Sequence, residues 1–141
     1  MTQPDTATRS VIVEREFPHP PEKVWRALTE SSLIEQWLLK NDFQPVVGRL
    51  FNLRREPIAN WNGVIDCQVL AVEPCRTLSY SWGTLGVDTV VTFTLTPTDA
   101  GTHLRMEQSG FGPDRHANYK GARYGWNKFL DNLERVVAGL Q

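Results

Sequence analysis

The sequence has 141 residues, with 15 lysines and arginines against 16 aspartates and glutamates. This length corresponds to one domain, and the balanced charge excludes both the basic excess of nucleic-acid-binding proteins and the polybasic segment of peripheral membrane proteins. Hydrophobic residues make up 40% of the chain, as in folded globular proteins. The five tryptophans, six phenylalanines and three tyrosines are enough either to fill a core or to line a cavity.

The two cysteines and the polar first residues bear on compartment and cofactors. Cys67 and Cys75 have no further metal-ligand residues at suitable spacing, which disfavours a disulfide framework and a zinc site. Residues 1–9 predict a disordered tail, followed by a single domain over residues 10–141. No segment reads as a signal peptide, and no apolar run approaches the roughly 20 residues of a membrane-spanning helix. We therefore expect a cytoplasmic protein with no membrane anchor, metal or other cofactor.

The first part of the chain predicts one strand and two short helices. Residues 11–17 alternate between two faces, as a half-buried strand does. Pro21 suits the first turn of a helix, because its missing N–H would have no partner there. Ser32, followed three residues later by Glu35, predicts a capping box that opens the second helix.

The rest of the chain predicts a run of strands and then one long helix. The strand-like segments are residues 48–55, 63–72, 77–82, 89–96 and 102–109. Short turn sequences between them favour sequential antiparallel hairpins. Apolar residues then recur with the helical period from about residue 117 to residue 139. The predicted fold is α+β, with about six antiparallel strands curved around the C-terminal helix.

A helix laid across a curved sheet leaves a space that side chains either fill or line as a pocket of ~300–1,000 Å³. The candidate ligand-binding residues are bulky or polar side chains on the inward faces of the strands and on the helix stripe. They are Trp37, Phe43, Phe51, Tyr80, Trp82, Phe93, Met106, Gln108, Tyr124, Trp126, Phe129 and Leu130. A solid core built from the same residues remains the alternative.

Three polar or exposed positions invite a functional interpretation. Gln108 is a candidate neutral anchor inside a pocket, although its amide can equally reach solvent or backbone. Arg15 shares the inward face of the first strand. We favour a structural role, in which it lies at a margin of the sheet or pairs with a carboxylate such as Asp66 or Glu107, over contact with a ligand. Trp61, in a predicted turn, suits a contact surface or a pocket rim.

The sequence offers no catalytic constellation. His19, His103 and His116 are scattered and predict surface histidines. Nucleophile-elbow, zinc-protease, phosphate-loop and dinucleotide motifs do not occur in the sequence. Cys67 has no activating base nearby in the sequence, which argues against a nucleophilic role. We therefore predict no catalytic residue.

Eight short segments form an ordered set. They are FPHPPEKVW at 17–25, LIEQW at 33–37, FQPVVG at 43–48, VLAVEP at 69–74, LSYSW at 78–82, GTHL at 101–104, SGF at 109–111 and GW at 125–126. In this order they resemble the START-like (SRPBCC) superfamily, and within it the homologues of the activator of the heat-shock-protein-90 ATPase. The resemblance implies a helix-grip fold. Where this family often has a histidine before the Ser-Gly-Phe segment, this chain has Gln108, whose amide does not titrate.

Three functions follow from the residues and the resemblance together. The first is a protein that binds a small hydrophobic ligand, such as a lipid, a polyketide or an aromatic metabolite. The second, implied by the resemblance, is a co-chaperone that contacts a chaperone or another protein in a stress response. The third is an enzyme of the polyketide cyclase or dehydratase type. The expected partner is a small apolar ligand, and the expected assembly is a monomer or a homodimer.

Overall fold

A computed structural model of the protein describes residues 9–58, 61–84, 86–112 and 116–140. Within these ranges it contains seven strands and three helices. In chain order they are β1 (Arg9–Phe17), α1 (Pro21–Thr29), α2 (Ser31–Trp37), β2 (Lys40–Asn41), β3 (Leu50–Arg54), β4 (Val64–Glu73), β5 (Thr77–Thr84), β6 (Val87–Thr98), β7 (Gly101–Phe111) and α3 (His116–Ala138). The predicted α+β, helix-grip architecture is confirmed.

The strands form one antiparallel sheet in the order β1-β7-β6-β5-β4-β3-β2. Strands β2 to β7 follow one another as a meander, as the short turns between them predict, and β1 joins the sheet beyond β7. The register of β4 against β5 shifts between Val69 and Ala71. A shift of this kind increases the local bend and twist of a strand pair, and so helps the sheet to curve.

One face of the sheet is covered by α3, which packs on β1 and on the two short helices. Its buried stripe consists of Trp126, Leu130, Leu133 and Val137, spaced four, three and four residues apart. This is the helical period that the sequence predicts. The inward residues of the central strands, such as Phe93 and Leu104, are fully buried against it.

The sequence prediction missed one strand. The sheet has seven strands rather than about six, because β2 comprises only Lys40–Asn41, which is too short to show alternation. Arg9, which the sequence prediction placed in a disordered tail, pairs with Phe111 of β7. The other residues of that predicted tail, 1–8, lie outside the described residues.

The predicted capping box is wrong. Helix α2 begins at Ser31, with Glu30 in the capping position and without a side-chain cap. The Glu30 carbonyl accepts hydrogen bonds from the backbone N–H groups of Leu33 and Ile34 at 2.9 Å. The capping position therefore lies two residues ahead of the predicted one, at the single residue that separates α1 from α2.

Arg15 pairs with carboxylates, as favoured, but the predicted partners are wrong. Its guanidinium donates to Asp131 at 3.0 Å and to Glu134 at 2.9 Å, both on α3. The sequence alone could not distinguish Asp66 or Glu107 from Asp131 and Glu134 as partners, because the pairing depends on where α3 crosses β1.

None of the helices in the described ranges has the length and hydrophobicity needed to cross a bilayer.

Candidate functional site: a cavity between α3 and the sheet

A partly enclosed cavity of about 170 Å³ lies between the first half of α3 and the adjoining ends of β5, β6 and β7. The lining residues that the structure describes carry no charged side chain. The lining residues are Trp82, Thr84, Val87, Thr89, Gln108, Phe111, Gly121, Ala122, Gly125, Trp126 and Phe129. The space is therefore apolar and aromatic, with a few polar groups, as small-molecule sites are.

The aromatic part of the wall is organised around Trp126, which is 2% exposed. The ring centroid of Trp126 lies 5.3 Å from that of Trp82 and 5.6 Å from that of Phe129. The Phe129 ring is nearly perpendicular to the indole, at 75°. Distances and angles of this kind are favourable for aromatic pairs, so the rings hold one another in place around the cavity.

A chain of three hydrogen bonds runs behind these rings. The indole N–H of Trp126 donates to Oε1 of Gln108 at 2.7 Å, and Nε2 of Gln108 donates to the hydroxyl of Thr89 at 2.8 Å. The Thr89 hydroxyl then donates to the backbone carbonyl of Trp82 at 3.0 Å. An indole N–H can only donate, so Trp126 fixes the orientation of the Gln108 amide and hence the direction of the whole chain.

Both polar members of this chain are buried, with 3% exposure for Gln108 and 4% for Thr89. The chain satisfies each of them with at least one good partner, which a buried amide or hydroxyl requires. The register of the sheet brings them together, because Val91 of β6 pairs with Gln108 of β7, and Thr89 lies two residues before Val91 on the same face. Gln108 is thus anchored in the wall of the cavity rather than turned to solvent.

The helix side of the cavity is formed largely by residues without long side chains. Gly121 and Gly125 lie one turn apart on α3, and Ala122 lies between them. A Cβ atom added at Gly121 would meet no heavy atom within 4 Å, and one at Gly125 would meet only the Phe129 ring at 3.9 Å. These two glycines leave open the space that side chains would otherwise occupy.

Hydrogen bonds connect the rim of the cavity at Thr84 to the segment between β3 and β4. Trp61 donates its indole N–H to the hydroxyl of Thr84, a lining residue, at 2.8 Å. The Thr84 hydroxyl donates in turn to the backbone carbonyl of Val64 at 3.1 Å. The guanidinium of Arg55 lies 6.0 Å from the centre of the Trp61 ring. Trp61 is therefore half-buried next to the rim, while its neighbour Asn60 lies outside the described residues.

The structure divides the residues predicted from sequence into two groups. Four of them line the cavity: Trp82, Gln108, Trp126 and Phe129. Seven are buried in the core instead: Trp37, Phe43, Phe51, Tyr80, Phe93, Met106 and Leu130. Tyr124 belongs to neither group, since it is 66% exposed on the outer side of α3.

The core group is held together by direct ring contacts. The Phe51 centroid lies 5.1 Å from that of Phe43 and 5.2 Å from that of Tyr80. Trp37 contacts Phe93 at 6.2 Å, and its indole N–H donates to the backbone carbonyl of Ala27 at 2.8 Å. At this end of the interior the side chains fill the space between sheet and helices.

Sequence reasoning missed seven lining residues: Thr84, Val87, Thr89, Phe111, Gly121, Ala122 and Gly125. The two glycines carried a usable signal, since they stand four residues apart inside a predicted helix, where glycine is unfavourable. The role of Thr89 could not be inferred, because it depends on the register between β6 and β7.

The titratable groups outside the cavity give no catalytic arrangement in the part of the chain that the structure describes. Burial, with the nearby carboxylates of Asp66 and Asp42, raises the pKa of the Cys67 thiol, so it stays protonated at neutral pH and is a poor nucleophile. His103 lies on the outer side of the sheet, bonded to Glu14 and Glu16. Across the described residues, no three His, Cys, Asp or Glu side chains are arranged to hold a metal ion.

Comparison with proteins of known structure shows close relatives of this fold. Protein MLL2253 from Mesorhizobium loti is 55% identical, with a TM-score of 0.86 over 94% of this chain and 99% of its own. Protein BH1534 from Bacillus halodurans is 28% identical, with a TM-score of 0.79 over 94% of this chain and 99% of its own. DynU16, from the dynemicin biosynthetic locus, is 27% identical, with a TM-score of 0.78 over 92% of this chain and 47% of its own.

Two comparisons were made on the sequence. No curated protein matches the chain, whereas one family profile does. The family profile described as activator of Hsp90 ATPase homolog 1-like protein matches residues 18–138, which include every strand after β1 and all three helices. The chain therefore belongs to the Hsp90 ATPase activator homolog 1-like family of the START-like superfamily.

Proposed function

We propose that this protein binds one small, largely apolar molecule in the cavity between α3 and strands β5 to β7. The observation that carries the proposal is a partly enclosed cavity whose described lining residues are all uncharged. Such walls bind by removing apolar surface from water, while a few polar groups orient the molecule. Gln108 and Thr89 supply polar groups of this kind.

The ligand contacts that we propose are the four residues predicted from sequence that line the cavity, namely Trp82, Gln108, Trp126 and Phe129. Membership of a superfamily of ligand-binding domains supports this proposal. The similarity to DynU16 supports it too, because that protein comes from a biosynthetic locus and so from a setting of small-molecule chemistry.

The test is a titration with apolar compounds of three sizes, single-ring, fused-ring and long-chain, followed by tryptophan fluorescence. Trp82 and Trp126 lie in the wall, so a bound molecule changes their surroundings. We expect a saturable change with at least one class of compound. The absence of a saturable change with all three classes would contradict the proposal.

A matched pair of variants separates the cavity from the rest of α3. Ala122→Phe places a large ring in the cavity wall, whereas Ala138→Phe places the same ring at an exposed position near the end of the same helix. We expect Ala122→Phe to weaken binding by about 10-fold or more, because the new ring takes up volume that the ligand needs. We expect Ala138→Phe to leave binding unchanged. Equal effects of the two variants would argue against this cavity as the site.

A second candidate function is that of a co-chaperone, and the family match over residues 18–138 favours it. The test is the ATP hydrolysis rate of the cognate Hsp90 with and without this protein. Stimulation would support the co-chaperone function, and an unchanged rate would contradict it.

The third candidate is a polyketide cyclase or dehydratase. It would have to act by orienting its substrate, because the described lining residues include no acidic, basic, histidine, cysteine or tyrosine side chain.

A further inference from the structure

We propose that the ligand is a small molecule with a single aromatic ring that carries no charge and bears one hydrogen-bonding group, as a phenol does. This inference rests on the proposed function, since it narrows the class of ligand for the same cavity. Three features carry it: the volume of the cavity, the absence of side chains at Gly121 and Gly125 on its helix side, and the unused hydrogen-bonding capacity of Gln108.

The volume sets the size of the ligand. At about 170 Å³ the cavity is close to the ~150 Å³ of an apolar cavity that binds benzene in another protein. It is smaller than the ~300–1,000 Å³ of sites that hold drug-sized molecules. One ring therefore fits inside, whereas fused rings or a fatty-acyl chain would extend beyond the walls.

The helix side of the cavity fits a flat ring. Glycine is the least favourable residue in a helix interior apart from proline, yet Gly121 and Gly125 both lie inside α3. Packing does not demand them, because an added Cβ at either position has room. What they provide is a stretch of α3 without side chains next to Trp126 and Phe129, where a ring can approach the helix backbone closely.

Gln108 supplies the polar contact. Its amide has two N–H donors and two acceptor lone pairs, and the bonds to Trp126 and Thr89 use one of each. Within the described residues, no other hydrogen bond uses the remaining N–H and lone pair. A hydroxyl on the ring can therefore donate to or accept from this amide, which compensates for the water that the hydroxyl loses on entering.

The ligand is expected to be uncharged because the described lining residues offer nothing to balance a charge. Moving a carboxylate into a site without a cationic partner leaves most of its desolvation cost uncompensated. A charged ligand would need a lysine or arginine in the wall, and none of the described lining residues is one. Benzoate is therefore the natural negative comparison for phenol.

The experiment measures dissociation constants by isothermal titration calorimetry for five compounds: phenol, toluene, benzoate, 1-naphthol and myristate. We expect saturable binding of phenol and toluene, and binding of benzoate and 1-naphthol that is weaker than that of phenol by about 10-fold or more. Saturable binding of myristate or 1-naphthol without binding of either single-ring compound would overturn this inference and leave the proposed function standing. Failure of all five compounds would overturn both.

Gln108→Met tests the hydrogen bond. The variant keeps the length of the side chain and removes the amide, so we expect the preference for phenol over toluene to shift toward toluene by about 10-fold. A ratio of dissociation constants is compared within one variant, so a general loss of stability does not mimic the effect. An unchanged ratio would show that Gln108 does not meet the ligand.

Gly125→Ala tests the glycine wall and is designed to fold at least as well as the original protein. We expect its thermal midpoint to rise by about 2–4 °C, because alanine is favourable in a helix. We expect phenol binding to weaken by about 10-fold, because the methyl group occupies the cavity. The control is Tyr124→Ala, which lies on the exposed side of α3 and should leave phenol binding unchanged. A lower midpoint with unchanged binding in Gly125→Ala would overturn the role assigned to this glycine.

Discussion

The two ends of the interior are built from the same kinds of residue, yet one is filled and the other is hollow. At the filled end, the rings of Phe43, Phe51 and Tyr80 meet at centroid distances of 5.1 to 6.2 Å, and each is less than 5% exposed. At the hollow end, Trp82 and Trp126 lie just as close together, at 5.3 Å, but an open volume of about 170 Å³ remains beside them.

The difference lies in what faces the rings. The filled end receives Trp37 from α2 and Phe43 from the segment after β2, both large and buried. The hollow end faces the part of α3 that contains Gly121 and Gly125. Whether an inward aromatic residue becomes core or cavity wall is thus decided by the element that covers it and not by the aromatic residue itself.

The largest effect that would test this contrast is the loss of stability when a large side chain is removed at the filled end. Phe51→Ala removes a ring that is 3% exposed and contacts both Phe43 and Tyr80, so we expect a loss of about 3–5 kcal/mol in the free energy of unfolding. Phe129→Ala, at the half-buried wall of the hollow end, should cost less than half as much. Urea denaturation measures both, and equal losses would contradict the contrast.

A smaller loss is expected from breaking the hydrogen-bond chain at the hollow end. Gln108→Met leaves the buried indole N–H of Trp126 without its acceptor, which we expect to cost about 1–3 kcal/mol of stability. The same denaturation experiment measures it. A variant as stable as the original would mean that water in the cavity replaces the amide.

Removing the hydroxyl of Tyr80 should not lower the free energy of unfolding, in contrast to the two changes above. Its hydroxyl makes no hydrogen bond within the described residues, and burial, with a smaller contribution from Cys67, raises its pKa well above the usual value. Tyr80→Phe removes an unpaired polar group, so we expect stability to be unchanged or higher by up to about 1 kcal/mol. Because the folded state holds this proton more tightly than the unfolded state, the original protein should lose stability above pH ~10, and part of that loss should vanish in Tyr80→Phe. A loss of stability at neutral pH in the variant would show that the hydroxyl has a partner.

The smallest effect is expected on the outer side of the sheet, away from both ends of the interior. Hydrogen bonds to Glu16 and Glu14 raise the pKa of His103. A raised pKa in the folded state adds stability below the unfolded value of ~6.5, and this stability is lost as the pH rises through the folded pKa. The contribution should fall within the ~0–1 kcal/mol of exposed ion pairs. His103→Gln should flatten the decline in the free energy of unfolding that begins as the pH rises through ~6.5, and a steeper decline would contradict this assignment.

Much of the fold could be predicted from the sequence, because the spacing of apolar residues within a single strand or helix already shows which of its faces is buried. The stripe of α3 that ends in Val137 and the alternation around Phe93 need no tertiary information, since each follows from one element with one buried face. The two-residue strand Lys40–Asn41 shows no such period and was missed. The start of α2 was also misplaced, because the Glu30 carbonyl rather than a serine side chain organises its first turn.

The cavity could be predicted only in part. The alternation of residues along the strands correctly predicted that Gln108 and Trp82 face inward, and the helical period correctly predicted the same for Trp126. Whether space remains beside them depends on the crossing of α3 over the sheet, which no local pattern encodes. The partner of Gln108 illustrates the limit, because Thr89 reaches it through strand register alone.

Arg15 reinforces the rotational setting of α3 about its own axis, which the buried stripe of the helix defines. Its guanidinium contacts Asn127, Asp131 and Glu134, which are spaced four and three residues apart and so share one side of the helix over about two turns. A displacement of α3 by one residue would rotate it by ~100°, which would break these contacts and expose the stripe of Trp126, Leu130, Leu133 and Val137. An arginine on the edge strand β1, which does not itself line the cavity, thus helps to keep Gly121 and Gly125 beside the empty space.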